Sequence, residues 1–175
     1  MTNSLVLKTI AWNESERGFF SPSHTGFLWG RDVVASMCEK CQIIGRIESD
    51  CTCGLYGSPN PETLIEYHSY PNSIVVLMNT YGTIDVWTAP KDIPNCYVTR
   101  SWGMKIVRII GTEIVSHKRL RGQRDISAGL ASEMFDSPRI SLKGAKYIIR
   151  ETWTKTDEDR EVIIGFDPYQ KQGGI

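Results

Sequence analysis

Two short segments on either side of a turn indicate the fold class: Ile74-Val-Val-Leu-Met-Asn79, then Tyr81-Gly82, then Thr83-Ile-Asp-Val-Trp-Thr88. Both segments are rich in β-branched and aromatic residues, which is typical of strands bounded by a turn. The run Ile74–Met78 is the longest apolar stretch, and it falls far short of the roughly 18–20 residues that cross a bilayer. The sequence therefore predicts a β-rich core and no membrane span.

Further strands are predicted on both sides of this segment. Leu5–Trp12 alternates along its length and predicts a first strand, after which an irregular aromatic segment runs from Phe19 to about Trp29. Cys96–Trp102 and Lys105–Ile110 predict another strand pair, with Gly103 between its members. Short strands at close spacing are typical of a meander or a small barrel, and we predict one of these.

Helical patterns occur in one early segment and two late ones. Arg31–Cys38 predicts a short helix with Asp32 as its N-cap. Asp125–Phe135 and the apolar face between Leu142 and Trp153 predict two more helices, followed by a last strand over Glu161–Phe166. The predicted fold class is α+β: a small antiparallel sheet or barrel with a cysteine (zinc) knuckle, followed by two C-terminal helices and a final strand.

The composition is that of an ordinary globular protein. The 175 residues include 41% hydrophobic and 23% charged side chains, and the formal net charge is zero. A disordered chain would need fewer apolar residues and a high net charge, so that class is excluded, as is a fibrous repeat. The length suits one domain or a domain with an appendage. We predict a β-rich domain over residues 1–117 and a helical C-terminal part over residues 118–175, packed together as one unit.

Four of the five cysteines fall within 16 residues, in the pattern Cys38-x2-Cys41-x9-Cys51-x-Cys53-Gly54. A C-x2-C turn can aim two thiolates at one centre, and the loop that follows can return the second pair to it. Zinc binds four such ligands in a tetrahedron, and Gly54 would allow a tight turn after the last ligand. The cluster therefore predicts a structural zinc site, with zinc as the cofactor.

Other interpretations of the cysteines stay open. The second half is C-x-C instead of the commoner C-x2-C, so His24 or His68 is an alternative ligand. Reduced cysteines also pack as small apolar residues, and a redox or catalytic role is a third alternative. The fifth cysteine, Cys96, is predicted to pack in the core. The N-terminal residues lack a signal-peptide pattern, so we expect a cytoplasmic location with reduced thiols.

The chain resembles a group of small uncharacterised bacterial proteins. These carry an early Ala-Trp, a Ser-Pro, a Trp and a cysteine loop that closes in C-x-C-G-[IL]-Y. A histidine often stands in that group where Cys41 lies here, and a Cys/His exchange fits a zinc ligand better than a disulfide. The resemblance implies a bacterial or phage origin and no known activity. It spans residues 5–110, with these matching positions: Ala11-Trp12, Ser21-Pro22, Trp29, Cys38 and Cys51-Thr-Cys53-Gly-Leu-Tyr56.

Charge is segregated along the chain although the total is neutral. Residues 48–99 carry one basic and six acidic side chains, and residues 100–124 carry seven basic and one acidic. Cations then recur on one face of the second C-terminal helix. The candidates for contacting nucleic acid or an acidic partner, against the alternative of a solvated face, are Lys118, Arg119, Arg121, Arg124, Arg139, Lys143, Lys146 and Arg150.

Catalytic signals are weak. The three histidines, His24, His68 and His117, lie far apart, and no metalloprotease, nucleophile-elbow, Walker A or dinucleotide-binding motif is present. Glu66 and His68 would share one face of a strand, which leaves an enzyme with a site near this pair as an alternative.

The functional prediction is a non-enzymatic protein-binding or adaptor module stabilised by a structural zinc. The alternatives are a nucleic-acid-associated regulator that uses residues 117–124 and 139–150, an enzyme around Glu66 and His68, and a subunit of a larger assembly. The expected partner is a protein, with nucleic acid as the second candidate. Neither a membrane nor a small-molecule substrate is inferred.

Overall fold

The computed structural model describes residues 4–21, 24–35, 38–45, 51, 53–61, 73–82, 85–88, 97–111 and 125–155 of the chain. Within these residues the architecture is α+β, with nine strands and three helices. The strands are β1 (Leu5–Asn13), β2 (Gly18–Ser21), β3 (His24–Leu28), β4 (Val34–Ala35), β5 (Leu55–Gly57), β6 (Ser73–Tyr81), β7 (Asp85–Thr88), β8 (Tyr97–Ser101) and β9 (Gly103–Gly111). The helices are α1 (Glu39–Ile44), α2 (Asp125–Phe135) and α3 (Leu142–Lys155).

Six strands form one antiparallel sheet in the order β3-β2-β1-β6-β9-β4. Strand β6 lies inside it and pairs with β1 on one side, from Leu5 opposite Asn79 to Ala11 opposite Ser73, and with β9 on the other. Most β6 side chains are buried, and this explains why its sequence is a continuous apolar run instead of an alternating one. The strand predicted for Ile74–Asn79 is confirmed and is longer than predicted.

The other three strands form a second antiparallel sheet in the order β5-β8-β7. The predicted pairing of Cys96–Trp102 with Lys105–Ile110 is wrong, because β8 and β9 follow one another but lie in different sheets. Instead, β6–β7 and β8–β9 are the two arms of one long hairpin. Tyr81 pairs with Gly103 on the six-stranded side, and Asp85 pairs with Arg100 on the three-stranded side.

This long hairpin bends where Gly82 and Trp102 face each other, and we call this place the hairpin corner. Gly82 has a φ of 85°, and a Cβ added to it would lie 2.6 Å from the Cβ of Trp102. Real Cβ atoms do not approach so closely, and a positive φ also favours glycine. Glycine at residue 82 is therefore what lets the arms cross from one sheet to the other.

The two sheets also meet at the end of β5. Leu7 of β1 and Ser58 exchange backbone hydrogen bonds of 2.7 and 2.9 Å. A Cβ on Gly57 would lie 2.7 Å from the Cγ2 of Val6, so only glycine allows this close approach. The three-stranded sheet is therefore attached to the six-stranded sheet at two places, β1 and the hairpin corner.

Two predictions of local structure are wrong. The aromatic segment from Phe19, predicted to be irregular, supplies strands β2 and β3, and the ring of Phe19 packs edge-on against Trp12 with centroids 5.1 Å apart. The helix predicted for Arg31–Cys38 is absent from the described residues 31–35, where Val34 of β4 pairs with Met104. β-Branched residues such as Val34 suit an edge strand better than a short helix.

The two C-terminal helices lie where the sequence predicts them. The segment between them hydrogen-bonds to Ile109 of β9 through both the N–H and the C=O of that residue.

No helix in the described part of the chain has the length and apolar character that crossing a bilayer requires. The final strand predicted for Glu161–Phe166 and the boundary predicted at residues 117–118 lie outside the described residues. Fully buried helical residues that join the core of the strands are Ala128, Ala131, Ala145 and Ile149.

Candidate metal centre

The four clustered cysteines lie together in the folded chain. The Sγ atoms of Cys38, Cys41, Cys51 and Cys53 all lie within 4.8 Å of one another, and those of Cys38 and Cys51 are 3.6 Å apart. Zinc–sulfur bonds of about 2.3 Å in a regular tetrahedron separate the sulfurs by about 3.8 Å. Because the observed separations bracket this value, small side-chain rotations would close the group around one ion. The four thiols therefore form a group that can hold a metal.

Helix α1 carries the first pair of cysteines. Cys38 is its N-cap residue with extended backbone, and Cys41 follows three residues later, so both side chains lie on the same side of the helix. Cys41 is the buried residue of this short helix. The helix ends at Gly45, which has a φ of 69° and donates its N–H to the carbonyl oxygen of Cys41.

The second pair lies on the segment that leads into β5. The backbone N–H of Cys53 donates to the Sγ of Cys51 at 3.4 Å, and this contact holds the sulfur of Cys51 close to the next ligand. Gly54 then takes a φ of 124°. The turn predicted after the last ligand is therefore confirmed, and it needs a residue without a Cβ.

The two pairs of cysteines belong to different parts of the fold. Strand β4, just before Cys38, pairs with β9 of the six-stranded sheet. Cys53 lies two residues before β5, which belongs to the three-stranded sheet. An ion held by all four sulfurs would therefore connect the two sheets at the hairpin corner.

Two side chains of the hairpin corner hold the backbone of the cysteine segments. The indole N–H of Trp102 donates to the carbonyl oxygen of Cys41 at 2.7 Å. The guanidinium of Arg100 donates to the carbonyl oxygen of Cys51, and to that of Cys53 at 3.4 Å. Arg100 is only 8% exposed, so this cation is buried beside the cysteines.

Sequence analysis missed this role of Arg100 and Trp102. In the sequence, Arg100 is one cation of the basic block at residues 100–124. The available signal was a single arginine inside the strand segment Tyr97-Val-Thr-Arg-Ser101, where a charge calls for a buried partner or an exposed face. A lone arginine in a strand does not reveal which groups it contacts in the folded chain.

The Cys51 thiol has an altered acidity. Hydrogen bonds from the backbone N–H and then from the side chain of Cys53 lower the pKa of Cys51 to about 7, and burial opposes this effect. Metals bind the thiolate and not the thiol, so a lowered pKa favours metal binding near neutral pH.

A second buried cation contacts β5 from strand β1. Lys8 of β1 is 7% exposed and donates from Nζ to the carbonyl oxygen of Tyr56 at 2.7 Å. The same Nζ lies 5.9 Å from the centre of the Trp29 ring. Burial lowers the pKa of Lys8 to about 8, because the charged amine loses hydration.

The remaining candidate residues are placed only in part. Lys143 and Arg150 of α3 are exposed and Lys146 is half-buried. Arg139 is also exposed, but it precedes α3 and bridges to Ile109 of β9, so the prediction that it shares a helical face with the other three cations is wrong. Tyr147 of α3 has 64% of its surface exposed. Candidates that lie outside the described residues are Lys118, Arg119, Arg121, Arg124, Glu66, His68 and Cys96.

The alternative histidine ligands are not required. His24 lies on β3 and His68 lies outside the described residues, whereas the four cysteines supply a complete tetrahedral ligand set by themselves. Comparison with known protein families, with curated proteins and with solved structures finds no match to this chain. Functional reasoning therefore starts from the chemistry of the four-cysteine group.

Proposed function

We propose that the chain is a non-enzymatic binding or adaptor module whose fold is stabilised by one zinc ion held by Cys38, Cys41, Cys51 and Cys53. The observation that supports this proposal is the convergence of four Sγ atoms within 4.8 Å of one another. Thiolate sulfur is a soft ligand that favours zinc, copper(I) and iron, and zinc is the usual ion in closed sites of four cysteines.

The ligand set argues for a structural and not a catalytic ion. Catalytic zinc keeps one coordination position for water or substrate, with three protein ligands. Four protein sulfurs fill the tetrahedron and leave no such position. The placement of the ligands also suits a structural role, because an ion here would tie β4 and α1 to the segment that leads into β5.

The binding role is inferred from the surface that carries the metal centre. Ile43 is 78% exposed and Ile44 is 43% exposed, and both belong to the same helix as Cys41. Val33, at 41% exposure, precedes β4 in the same part of the chain. Three exposed apolar side chains in one part of the chain are a candidate surface for contact with a protein partner. Zinc in this proposal keeps that surface in one shape.

Metal analysis of the purified chain tests the proposal. We expect one zinc ion per chain from protein prepared without added zinc, and four further thiols that react with a chromogenic disulfide only after a chelator is added. Cobalt(II) in place of zinc should give the absorption of a tetrahedral four-thiolate site, unchanged by added anions. Folded protein with no metal and with all thiols reactive would contradict the proposal, and an anion-sensitive cobalt spectrum would favour an enzyme.

A nucleic-acid-associated regulator is the second candidate, and the exposed cations of α3 favour it. Lys143 and Arg150 are exposed near the exposed ring of Tyr147, so cations and a stacking group share one helix. Binding to a DNA or RNA duplex should weaken steeply as salt rises, and Lys143→Glu with Arg150→Glu should reduce it further. Absence of salt-dependent binding in the unmodified chain would remove this candidate.

A further inference from the structure

We infer that Arg100, supported by Trp102, is a positioning residue that raises the affinity of the four-cysteine centre for its metal. This inference rests on the proposed metal centre and adds a cause for its affinity. Neither residue supplies a ligand atom. Both act on the backbone that carries the ligands and, in the case of Arg100, on the charge around them.

The contacts of these two residues reach three of the four ligand-bearing residues. The guanidinium of Arg100 donates to the carbonyls of Cys51 and Cys53, and the indole of Trp102 donates to the carbonyl of Cys41. Cys38 is joined to the group by its Sγ contact with Cys51. One short segment of β8 and the hairpin corner therefore orients both halves of the cysteine motif.

The donors themselves are held in place by the sheet. Arg100 lies on the middle strand of the three-stranded sheet, with Tyr56 and Asp85 opposite it in the register on either side. The Cβ of Trp102 lies against Gly82, where no larger residue would fit. Groups that orient metal ligands and are themselves fixed commonly raise metal affinity by 10–100-fold (roughly).

Charge gives Arg100 a second effect. A divalent ion bound by four thiolates leaves two negative charges uncompensated. Charges near a protein surface interact more strongly than charges in bulk water, and more strongly still as burial increases. The guanidinium of Arg100 is buried against the peptide groups of two of these ligands. It therefore stabilises the negative charge of the metal-bound centre.

The test is a zinc competition titration of the full chain against a chromogenic chelator, with four variants beside the unmodified protein. Arg100→Gln removes the charge, Arg100→Lys keeps the charge with a different donor geometry, and Trp102→Phe removes only the indole N–H. Arg108→Gln is the matched control, because Arg108 is an exposed arginine of β9 that donates to the carbonyl oxygen of its own neighbour Val107.

We expect Arg100→Gln to weaken zinc binding by roughly 10–100-fold, Arg100→Lys and Trp102→Phe to weaken it less, and Arg108→Gln to leave it unchanged. A purely structural role would lower the urea midpoints of metal-free and zinc-loaded protein equally and would leave the zinc dissociation constant unchanged. If Arg100→Gln does not fold, the zinc dissociation constants and urea midpoints of Arg100→Lys and Trp102→Phe distinguish a positioning role from a purely structural one.

The outcomes separate this inference from the proposed function. If the unmodified chain binds zinc and the Arg100 and Trp102 variants bind it as tightly as Arg108→Gln does, the inference is overturned and the metal centre stands. If the unmodified chain binds no zinc in the titration, the metal centre is overturned together with the inference.

Discussion

The six-stranded sheet and the region around the hairpin corner are stabilised in different ways. The sheet has a continuous apolar core, in which β6 contributes side chains such as Ile74 and Leu77 that are at most 1% exposed. Around the corner, by contrast, the principal contacts are polar: the buried cation of Arg100, the indole N–H of Trp102 and four thiols lie close together.

This difference indicates which part of the fold depends on a bound metal. Apolar burial stabilises a sheet without any cofactor, at about 25 cal/mol for each Å² removed from water. Of the side chains that the structure describes in the short three-stranded sheet, Leu55 alone belongs to the apolar core, so this part of the sheet has less of such stabilisation. A metal that ties its entry segment to β4 and α1 would supply what the apolar core does not.

Metal removal should separate the two regions most clearly. Structural zinc contributes about 10–16 kcal/mol to folding in small zinc-binding peptides, so we expect a loss of several kcal/mol here. In hydrogen exchange, chelation should deprotect the amides of β5 and β8 by about 100-fold or more, while those of β1 and β6 stay protected. Cys41→Ser should reproduce the effect, with Arg108→Gln on the exposed face of β9 as the control. Equal deprotection of both regions would show that they are one cooperative unit.

A core truncation in β6 should lower the stability of the fold without changing its affinity for zinc. Leu77 is 1% exposed, and Leu77→Ala should lower the free energy of unfolding by about 2–5 kcal/mol through lost burial and a residual cavity. The zinc dissociation constant of the folded variant should stay that of the unmodified chain. Denaturant unfolding and the chelator competition measure the two quantities, and a weaker zinc affinity would mean that the core and the metal centre are coupled.

Gly82→Ala tests the corner that joins the regions. The added Cβ would have a positive φ and would meet the Cβ of Trp102 at 2.6 Å, so we expect a cost of about 1–3 kcal/mol. The displaced Trp102 should also weaken zinc binding. Gly30→Ala is the matched control, since nothing lies within 4 Å of the added Cβ there. Similar unfolding midpoints for the two variants would show that the corner does not require glycine at residue 82.

Lys8→Met should give the smallest change, and a stabilising one. The pKa of Lys8 is lowered from 10.5 to about 8 in the folded chain, so its charge is unfavourable at neutral pH. Removal should stabilise the protein at pH 7 by about 1 kcal/mol or less, because the lost contacts to Tyr56 and Trp29 offset most of the gain.

The same shift predicts a pH dependence. Between about pH 8 and 10.5 the unfolded chain holds the Lys8 proton and the folded chain does not, so stability should rise with pH in this window. The difference between the unmodified chain and Lys8→Met isolates this effect from other titrating groups. A difference that stays constant across the window would show that Lys8 has an ordinary pKa in the folded state.

Local patterns predicted many of the elements. Ile74–Asn79 is a continuous apolar run and Leu142–Trp153 has an apolar face, so each pattern identifies its element without knowledge of the rest. The strand predicted for Leu5–Trp12 is confirmed, but its burial is continuous from Val6 to Ala11 and does not alternate. The cysteine spacing predicted the metal-binding group for a similar reason, since four soft ligands close in sequence need only one loop to meet. The partner, the location and the non-enzymatic role stay predictions.

Pairing and polar contacts could not be predicted in this way. Cys96–Trp102 and Lys105–Ile110 are consecutive strand patterns, and nothing local distinguishes a tight hairpin from a corner between two sheets. Val33 and Val34 fit either a short helix or an edge strand until β9 lies beside them. Arg100 appears in the sequence as one cation among many.

The sequence by itself determined the α+β class, the principal strands and helices, and a group of four cysteines suited to a metal. These features depend on periodicity and short spacing, which act between residues close in the chain. Tertiary structure alone decided that the long hairpin bends at Gly82 and Trp102, that the two cysteine pairs meet between two sheets, and that Arg100 is buried against them. These features depend on contacts between residues some 20–70 positions apart, and only the folded chain brings such residues together.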